Sequence, residues 1–354
     1  MSPYTFAGWL VVALGTLVAA IVVNLGQAGP ASVRLENEVA FEDLRSEPDL
    51  VTRVAIQAGG KSFSLERRDD GTWVSPEKDG YPIDARHIRA LIVGMSDMRL
   101  VEAKTTREDR FARLEVEDSA VEGAKSRLVR LETAEGGEPL VEIIVGKTRG
   151  RFTGGVEGGT YIRRPGEQQA WLASGRIEVK SKLHDWLQTD IMHLPSDSIA
   201  RVEMAALGEQ PGFVLARPDA DGDYSLEGLP EGQVVEPSQA SRVASGLSFL
   251  SFDDVAPRAR FALPAERRRG VFTTRDGVEV TVQMAPIEDE SWALFSARFV
   301  APEGQSEEAA AAARRQAEEI AALVEGWLYK LPDHVVKRFE IPLESLHRSA
   351  GGTS

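Results

Sequence analysis

From Phe6 to Val23 the chain reads FAGWLVVALGTLVAAIVV, 18 residues without a charge, and the first charged side chain is Arg34. At about 1.5 Å per residue this run makes a helix of roughly 27 Å, close to the ~30 Å hydrocarbon core of a bilayer. Tyr4-Thr5 and Asn24-Leu25 extend it, and Tyr4 and Trp9 stand near one end, where interfacial anchors belong. The run reads as an uncleaved single-pass anchor. Two alternatives stay open. One is a cleaved signal peptide, for which Gly26-Gln27-Ala28 offers small residues, although the apolar run is long and no basic residue precedes it. The other is a buried helix of a folded domain. Only Arg34 and Arg45 lie in the flank through Leu50, so basic residues barely decide orientation. The expectation is a body outside the cytoplasm.

The body beyond the anchor is acidic. Against 41 Lys and Arg stand 55 Asp and Glu, a formal charge of −14, and residues 1–33 contribute none of it. Such a body has no net basic field for nucleic acid, which is excluded as a partner, and anionic lipid headgroups repel it. There is no Cys, so disulfides, thiolate-held zinc or iron and thiol nucleophiles are excluded, and five His leave few nitrogen ligands. With 354 residues, 42% hydrophobic and 27% charged, the chain can fill about two cores. Gly26 to Pro48 mixes Gly, Pro and Ser with acids and reads as a stalk, broken by a short turn around Val39, Phe41 and Leu44.

Three segments of the body share a pattern. Pro48 precedes Arg53-Val54-Ala55-Ile56, Pro195 precedes Arg201-Val202-Glu203-Met204, and Pro332 precedes Arg338-Phe339-Glu340-Ile341. Each alternates as a half-buried strand does, and the arginines are 148 and 137 positions apart, which suggests a tandem repeat. A second strand comes next in the first two cases, Phe63 to Arg67 and Phe213 to Arg217, and then an amphipathic helix. The first helix starts at Asp84 with Ile88, Leu91, Ile92 and Met95 on one face; the second starts near Pro237 with Val243, Leu247 and Leu250. Further strands are expected at 128–132, 140–145, 161–164 and 170–172, and again at 270–274, 278–284 and 292–299. Closing helices are expected at Leu183, Trp186, Leu187, Ile191 and Leu194, and at Ile320, Leu323, Val324, Trp327, Leu328 and Leu331. The fold expected is α+β: a transmembrane helix (1–25), a stalk (26–50), two similar units (51–200 and 201–345), each a mostly antiparallel sheet covered by two helices, and a flexible tail (346–354).

The motifs that could carry chemistry are weak. Gly146-Lys147-Thr148 matches the end of a phosphate loop, but Val141 stands where that loop needs Gly, inside an apolar strand. Gly150, Gly154, Gly155, Gly158 and Gly159 read as a hairpin connection, since no helix start comes after them. His87, His184, His193, His334 and His347 form no ligand pair, no G-x-S-x-G is present, and acids such as Glu115, Glu117 and Asp118 or Glu288 to Glu290 are too many to single out a catalytic pair. Arg267-Arg268-Arg269 is the strongest basic patch and, without interleaved aromatics, reads as a turn before a strand. No catalytic, cofactor-binding or metal-binding residue is assigned.

The order of several short segments, however, resembles a bacterial family of domains of unknown function, DUF4340. They are Leu65-Glu66-Arg67, Gly71-Thr72-Trp73-Val74, Tyr81-Pro82-Ile83-Asp84, Val101 to Lys104, Phe111 to Leu114, Val145-Gly146-Lys147, Tyr161 to Arg164 with Trp171-Leu172, and Asp185-Trp186-Leu187. The likeness runs from Arg53 to about Met204. Where the family usually shows Gly-Leu and then Pro, this chain has Glu115-Val116 and Ser119. The resemblance implies an N-terminal anchor in the inner membrane, a periplasmic body, and association with auxiliary components of gliding-motility-type ABC transporters; it implies no catalytic residue. The leading expectation is therefore a non-enzymatic accessory protein that binds a membrane or envelope partner. An extracytoplasmic binder of a small molecule or glycan in a cleft between the units, and a carboxylate-dependent hydrolase, are the competing readings.

Overall fold

The computed structural model describes residues 38–134, 137–150, 158–217, 219 and 221–350. The expected anchor, Phe6 to Val23, lies outside these residues, as do Gly154 and Gly155; among the described residues no helix is long and apolar enough to cross a membrane. The fold is α+β, with mostly antiparallel sheets and few helices. Two compact units divide the chain. The first takes residues up to Ser64 together with Arg86–Ser181, and the second takes Leu65–Ala85 together with Lys182–Ser354.

The first unit contains β1 (Glu38–Val39), helix α1 (Glu42–Ser46), β2 (Val51–Ala58) and the start of β3 (Lys61–Arg67). The end of β3, β4 (Trp73–Ser75) and β5 (Tyr81–Pro82) are grouped with the second unit. The first unit resumes in α2 (Ala85–Ser96), β6 (Arg99–Thr105), the single turn α3 (Phe111–Leu114), β7 (Arg127–Thr133), β8 (Val141–Arg149), β9 (Gly159–Arg163) and β10 (Ala170–Ser174). Its strands lie in the order β1-β6-β10-β9-β8-β7-β2-β3. Alternation produces these strands: in β2, Val51, Val54, Ile56 and Ala58 are buried, with a register shift after Val51 that keeps the apolar set inward. Helix α2 begins after Asp84 and buries Ile88, Leu91 and Met95, the face the spacing predicts. Phe111, Val116, Ile144, Tyr161, Ala170 and Leu172 form one core cluster. Above it the Arg163 guanidinium lies 4.6 Å from the Phe111 ring and its Nε donates to Val116 O at 2.8 Å.

The second unit contains β11 (Ile199–Met204), β12 (Phe213–Ala216), β13 (Ser225–Leu226), β14 (Gln233–Val235), α4 (Pro237–Ala244), β15 (Asp254–Pro257), β16 (Arg268–Thr274), β17 (Val278–Ile287), β18 (Glu290–Phe299), α5 (Glu307–Val324), β19 (Trp327–Lys330), α6 (Asp333–Phe339) and β20 (His347–Ser349). Its main sheet has the order β13-β12-β11-β16-β17-β18-β19-β15, and β14 and β20 make a separate ribbon. Ser306 caps α5, accepting from Ala309 N at 3.3 Å, and the helix lies along β17 and β18 with Ala313, Ala317 and Val324 buried. A ring cluster holds the interior: Tyr81 meets Phe252, Trp327 and Tyr329 edge-on at centroid distances of 5.6, 4.9 and 6.2 Å.

Several expectations are corrected. Leu183 to Leu194 is no helix beyond the single 3₁₀ turn Leu183–Trp186. Its apolar spacing serves an extended segment instead, whose backbone bonds go to distant chain: Asp84 N to Trp186 O and Gln188 N to Pro82 O at 3.0 Å, Ile191 N to Leu250 O at 3.3 Å. The last helix predicted stops at Val324, because Gly326 turns the chain at φ +88° and Trp327 to Lys330 pair as β19. Arg338 and Phe339 end helix α6 and mark no strand; Pro332 and Asp333 start that helix, and Lys337 and Arg338 suit its last turn. In the first unit, among the described residues, α2 is the one α-helix longer than five residues, so a cover of two helices is not found there. Residues 38–50 of the expected stalk fold, with Phe41 and Leu44 buried, and the expected tail is ordered through β20 by pairing with β14.

Candidate functional site

The motifs that the sequence offers for chemistry fall into structural roles. Gly146-Lys147-Thr148 continues β8 through a register shift, and a Cβ on Gly146 would collide with the Leu114 carbonyl oxygen. That glycine admits a close backbone approach and cradles nothing. Glu117 accepts from Lys125 N at 2.7 Å and Asp118 from Ala120 N at 2.9 Å, so both shape their own loop. Glu288 and Asp289 form the hairpin between β17 and β18, and Glu290 pairs with Lys330. The five histidines stay apart: His184 meets Phe252 edge-on, His193 stacks on Phe249, His347 contacts Gln233, His87 lies beside Lys180, and His334 is exposed. Among the described residues no three His, Asp or Glu side chains are grouped so as to hold a metal ion.

The surface feature that stands out is Phe249, which lies off the helical period between Leu247 and Leu250 and carries no motif. It is 76% exposed, the most exposed of the large apolar side chains described. Its backbone sits at φ +50°, a conformation that costs a bulky residue on the order of 1–3 kcal/mol. The residues around it are fixed. Ser248 N donates to Ser245 O and Ser248 Oγ to Leu194 O, both at 2.9 Å, while Arg338 Nη1 donates to Ser248 O at 2.9 Å. Leu250 N donates to Met192 O at 2.9 Å and Leu194 N to Leu247 O at 3.1 Å, and Leu247 and Leu250 are fully buried. The Phe249 ring lies 3.9 Å from the His193 ring, centroid to centroid, and Phe249 N donates to His193 Nδ1 at 3.3 Å. That bond requires an unprotonated Nδ1.

A single exposed apolar residue is ordinary. An exposed phenylalanine held in a strained conformation by a clamped turn is different, because strain persists only where the surroundings impose it. The turn follows from the sequence: α4 ends in a further 3₁₀ turn, Ser245–Leu247, and the two buried leucines flanking Ser248-Phe249 leave the ring no way inward. A rigid aromatic knob with a polar neighbour is what an interface anchor consists of. The signal available in the sequence is an aromatic that breaks the apolar period at a helix end.

No curated protein and no solved structure matches the chain. The sequence profile of a domain of unknown function, DUF4340, matches residues 73–266, further towards the C-terminus than the short segments that carry the likeness and including both His193 and Phe249. Since that match covers more than half of the 354 residues, the chain belongs to the DUF4340 family.

Proposed function

We propose that this protein is a non-enzymatic accessory component, anchored in the bacterial inner membrane by Phe6 to Val23, whose extracytoplasmic body binds a protein of an ABC-type transport complex through the Phe249 knob. The observation that carries the reading is the exposed, backbone-strained and clamped Phe249. The uncharged run and the acidic body support the attachment, since an anchor holds close to the membrane a body that its own charge would keep away.

We propose further that the body is a tandem duplication. Supporting this, the strand order β3-β2-β7-β8-β9-β10-β6 in the first unit corresponds strand for strand, in both sheet position and chain order, to β12-β11-β16-β17-β18-β19-β15 in the second. In each, the helix preceding the last strand of that order, α2 or α4, stands at the same place in the chain. On this reading α5 and the Phe249 turn are features that the second copy acquired.

The test is crosslinking of tagged full-length protein in intact membranes, comparing the natural chain with Phe249→Asn. Asn tolerates positive φ, so the variant should be as stable as the natural protein or up to about 1 kcal/mol more stable, yet capture its membrane partner poorly. A core phenylalanine changed in this way would cost about 3–5 kcal/mol. Undiminished capture by the Asn variant would remove Phe249 from the interface.

A further inference from the structure

Between β15 and β16 the chain from Arg258 to Arg267 crosses one face of the second unit's main sheet as a strap. It begins where Arg258 N donates to Gly326 O at 2.7 Å, and it is pinned by Phe261, whose ring lies 5.3 Å from that of Trp292. Beneath it is a cavity of about 280 Å³ lined by Arg258, Phe261, Ala262, Leu263, Arg267, Gln283, Leu294 and Leu328. Leu294 and Leu328 belong to the buried cluster that Phe261 and Leu263 pack against and close the cavity from below, so the apolar wall that a ligand meets is the strap's own Phe261, Ala262 and Leu263.

The lining is charged on one side only. Arg258 and Arg267 are the cavity's charged lining residues and no acidic residue lines it, in a chain whose net charge is −14. From Arg258 to Arg269 there are five arginines and one acid, Glu266, which is not among the lining residues. Among the described residues no carboxylate pairs with Arg258 or Arg267. Arg267 is aimed by the protein: Nε donates to Gln283 Oε1 at 2.7 Å and Nη1 to Pro264 O at 2.9 Å, which leaves Nη2 without a bond. The Arg260 guanidinium carbon lies 5.5 Å from the centroid of the ring of Phe261, a lining residue.

Two like charges brought to the rim of one small cavity repel each other unless an anion lies between them, and guanidinium forks match carboxylate geometry. A cavity slightly below the ~300–1,000 Å³ usual for ligand pockets admits a compact molecule. We propose that this cavity binds a small organic carboxylate with an apolar, ring-sized body: the carboxylate between Arg258 and Arg267, the body against Phe261, Ala262 and Leu263.

The probe is 2-naphthoate, titrated calorimetrically into the full-length chain in lipid nanodiscs, with empty nanodiscs as reference. Its two halves are tested separately by acetate, which has the charge alone, and 2-naphthamide, which has the ring system alone. The proposal expects saturable one-to-one binding of naphthoate, at least about tenfold weaker binding of acetate and of the amide, and at least about tenfold weakening of naphthoate by Arg258→Gln. Arg258 is exposed and its side chain makes no hydrogen bond or ion pair among the described residues, so this variant should fold, which an unchanged thermal midpoint checks. Arg267→Lys keeps the charge and loses the fork, and should weaken binding less than Arg258→Gln. Absence of saturable naphthoate binding, equal binding of the amide, or full binding by Arg258→Gln would each overturn the proposal.

Discussion

Two phenols buried in one ring cluster make the second unit sensitive to alkali. Tyr81 and Tyr329 are fully buried, with hydroxyls donating to Gln188 O at 3.0 Å and Leu323 O at 3.1 Å. Burial, first of all, pushes both phenols well above their ordinary value near 10. Above that value the unfolded chain releases the two protons while the folded chain keeps them. The unfolded state then binds fewer protons, and stability, fully present below pH 10, falls as pH rises by about 1.4 kcal/mol per unit for each tyrosine. Urea unfolding at several pH values between 9 and 11 should show the onset of this fall, and over that range the loss should be smaller by about 2.7 kcal/mol in total in a variant carrying both Tyr81→Phe and Tyr329→Phe, because about half of each unfolded phenol is ionised at pH ~10. An identical slope in that variant would refute the assignment, because lysines and other surface groups contribute equally to both proteins. The same scale explains why the candidate site is hard to read from sequence. The φ of Phe249 is set by bonds from Leu194, Met192 and Arg338, residues far away in the chain. Nothing local in Leu247-Ser248-Phe249-Leu250 encodes it.

Strands are legible in the sequence because alternation is local; helix ends are not, wherever a distant partner decides. The strand expected at 140–145 is β8, and it runs on to Arg149 because Gly146 lets the chain pass the Leu114 carbonyl. Apolar residues three and four apart, as in Leu183 to Leu194, fit a helix and equally fit an extended segment whose backbone finds Pro82 and Leu250. Gly326 is a visible stop signal inside the period that continues to Leu331. In the basic strap, Arg267 to Arg269 stand out as a run, but Arg258 and Arg267 come to one cavity only through the fold. One helix end does carry a prediction at this scale. Glu115 ends α3 at φ +59° and ψ +39°. Glu115→Gly removes a left-handed side-chain penalty of about 1–2 kcal/mol, partly offset by the greater freedom of glycine in the unfolded chain. Stability should rise by about 0.5–1 kcal/mol, read as an upward shift of roughly 2 °C in the thermal midpoint. A lower midpoint would mean that the Glu115 side chain holds the loop.

At the scale of the molecule, the two compact units are not continuous in sequence. Leu65–Ala85 leaves the first stretch and folds as part of the second unit. There it supplies Tyr81 to the ring cluster, the Ile83 bridge to Leu187, and Lys78 Nζ to Asp254 Oδ1 at 2.5 Å. A fragment cut at the sequence-derived boundary, 201–345, or at Lys182, keeps the sheet from β13 to β15 but loses Tyr81 from the faces of Phe252, Trp327 and Tyr329. A buried tyrosine covers about 150–250 Å², worth about 4–6 kcal/mol at ~25 cal/mol per Å², against a total stability of about 5–15 kcal/mol for a domain. Trp73, Val74 and Ile83 are buried in the same excursion and are lost with it. The fragment 182–354 should therefore keep far-ultraviolet strand signal, lose the near-ultraviolet signal of fixed rings and bind a hydrophobic dye, as loosely packed states do. Supplying residues 65–85 as a separate peptide should restore the fixed-ring signal with saturation at one equivalent, since the peptide replaces both the ring and the backbone partners of Trp186 and Gln188. Cooperative unfolding of 182–354 alone, with native near-ultraviolet signal, would show that the excursion is an addition to a complete unit rather than part of its core.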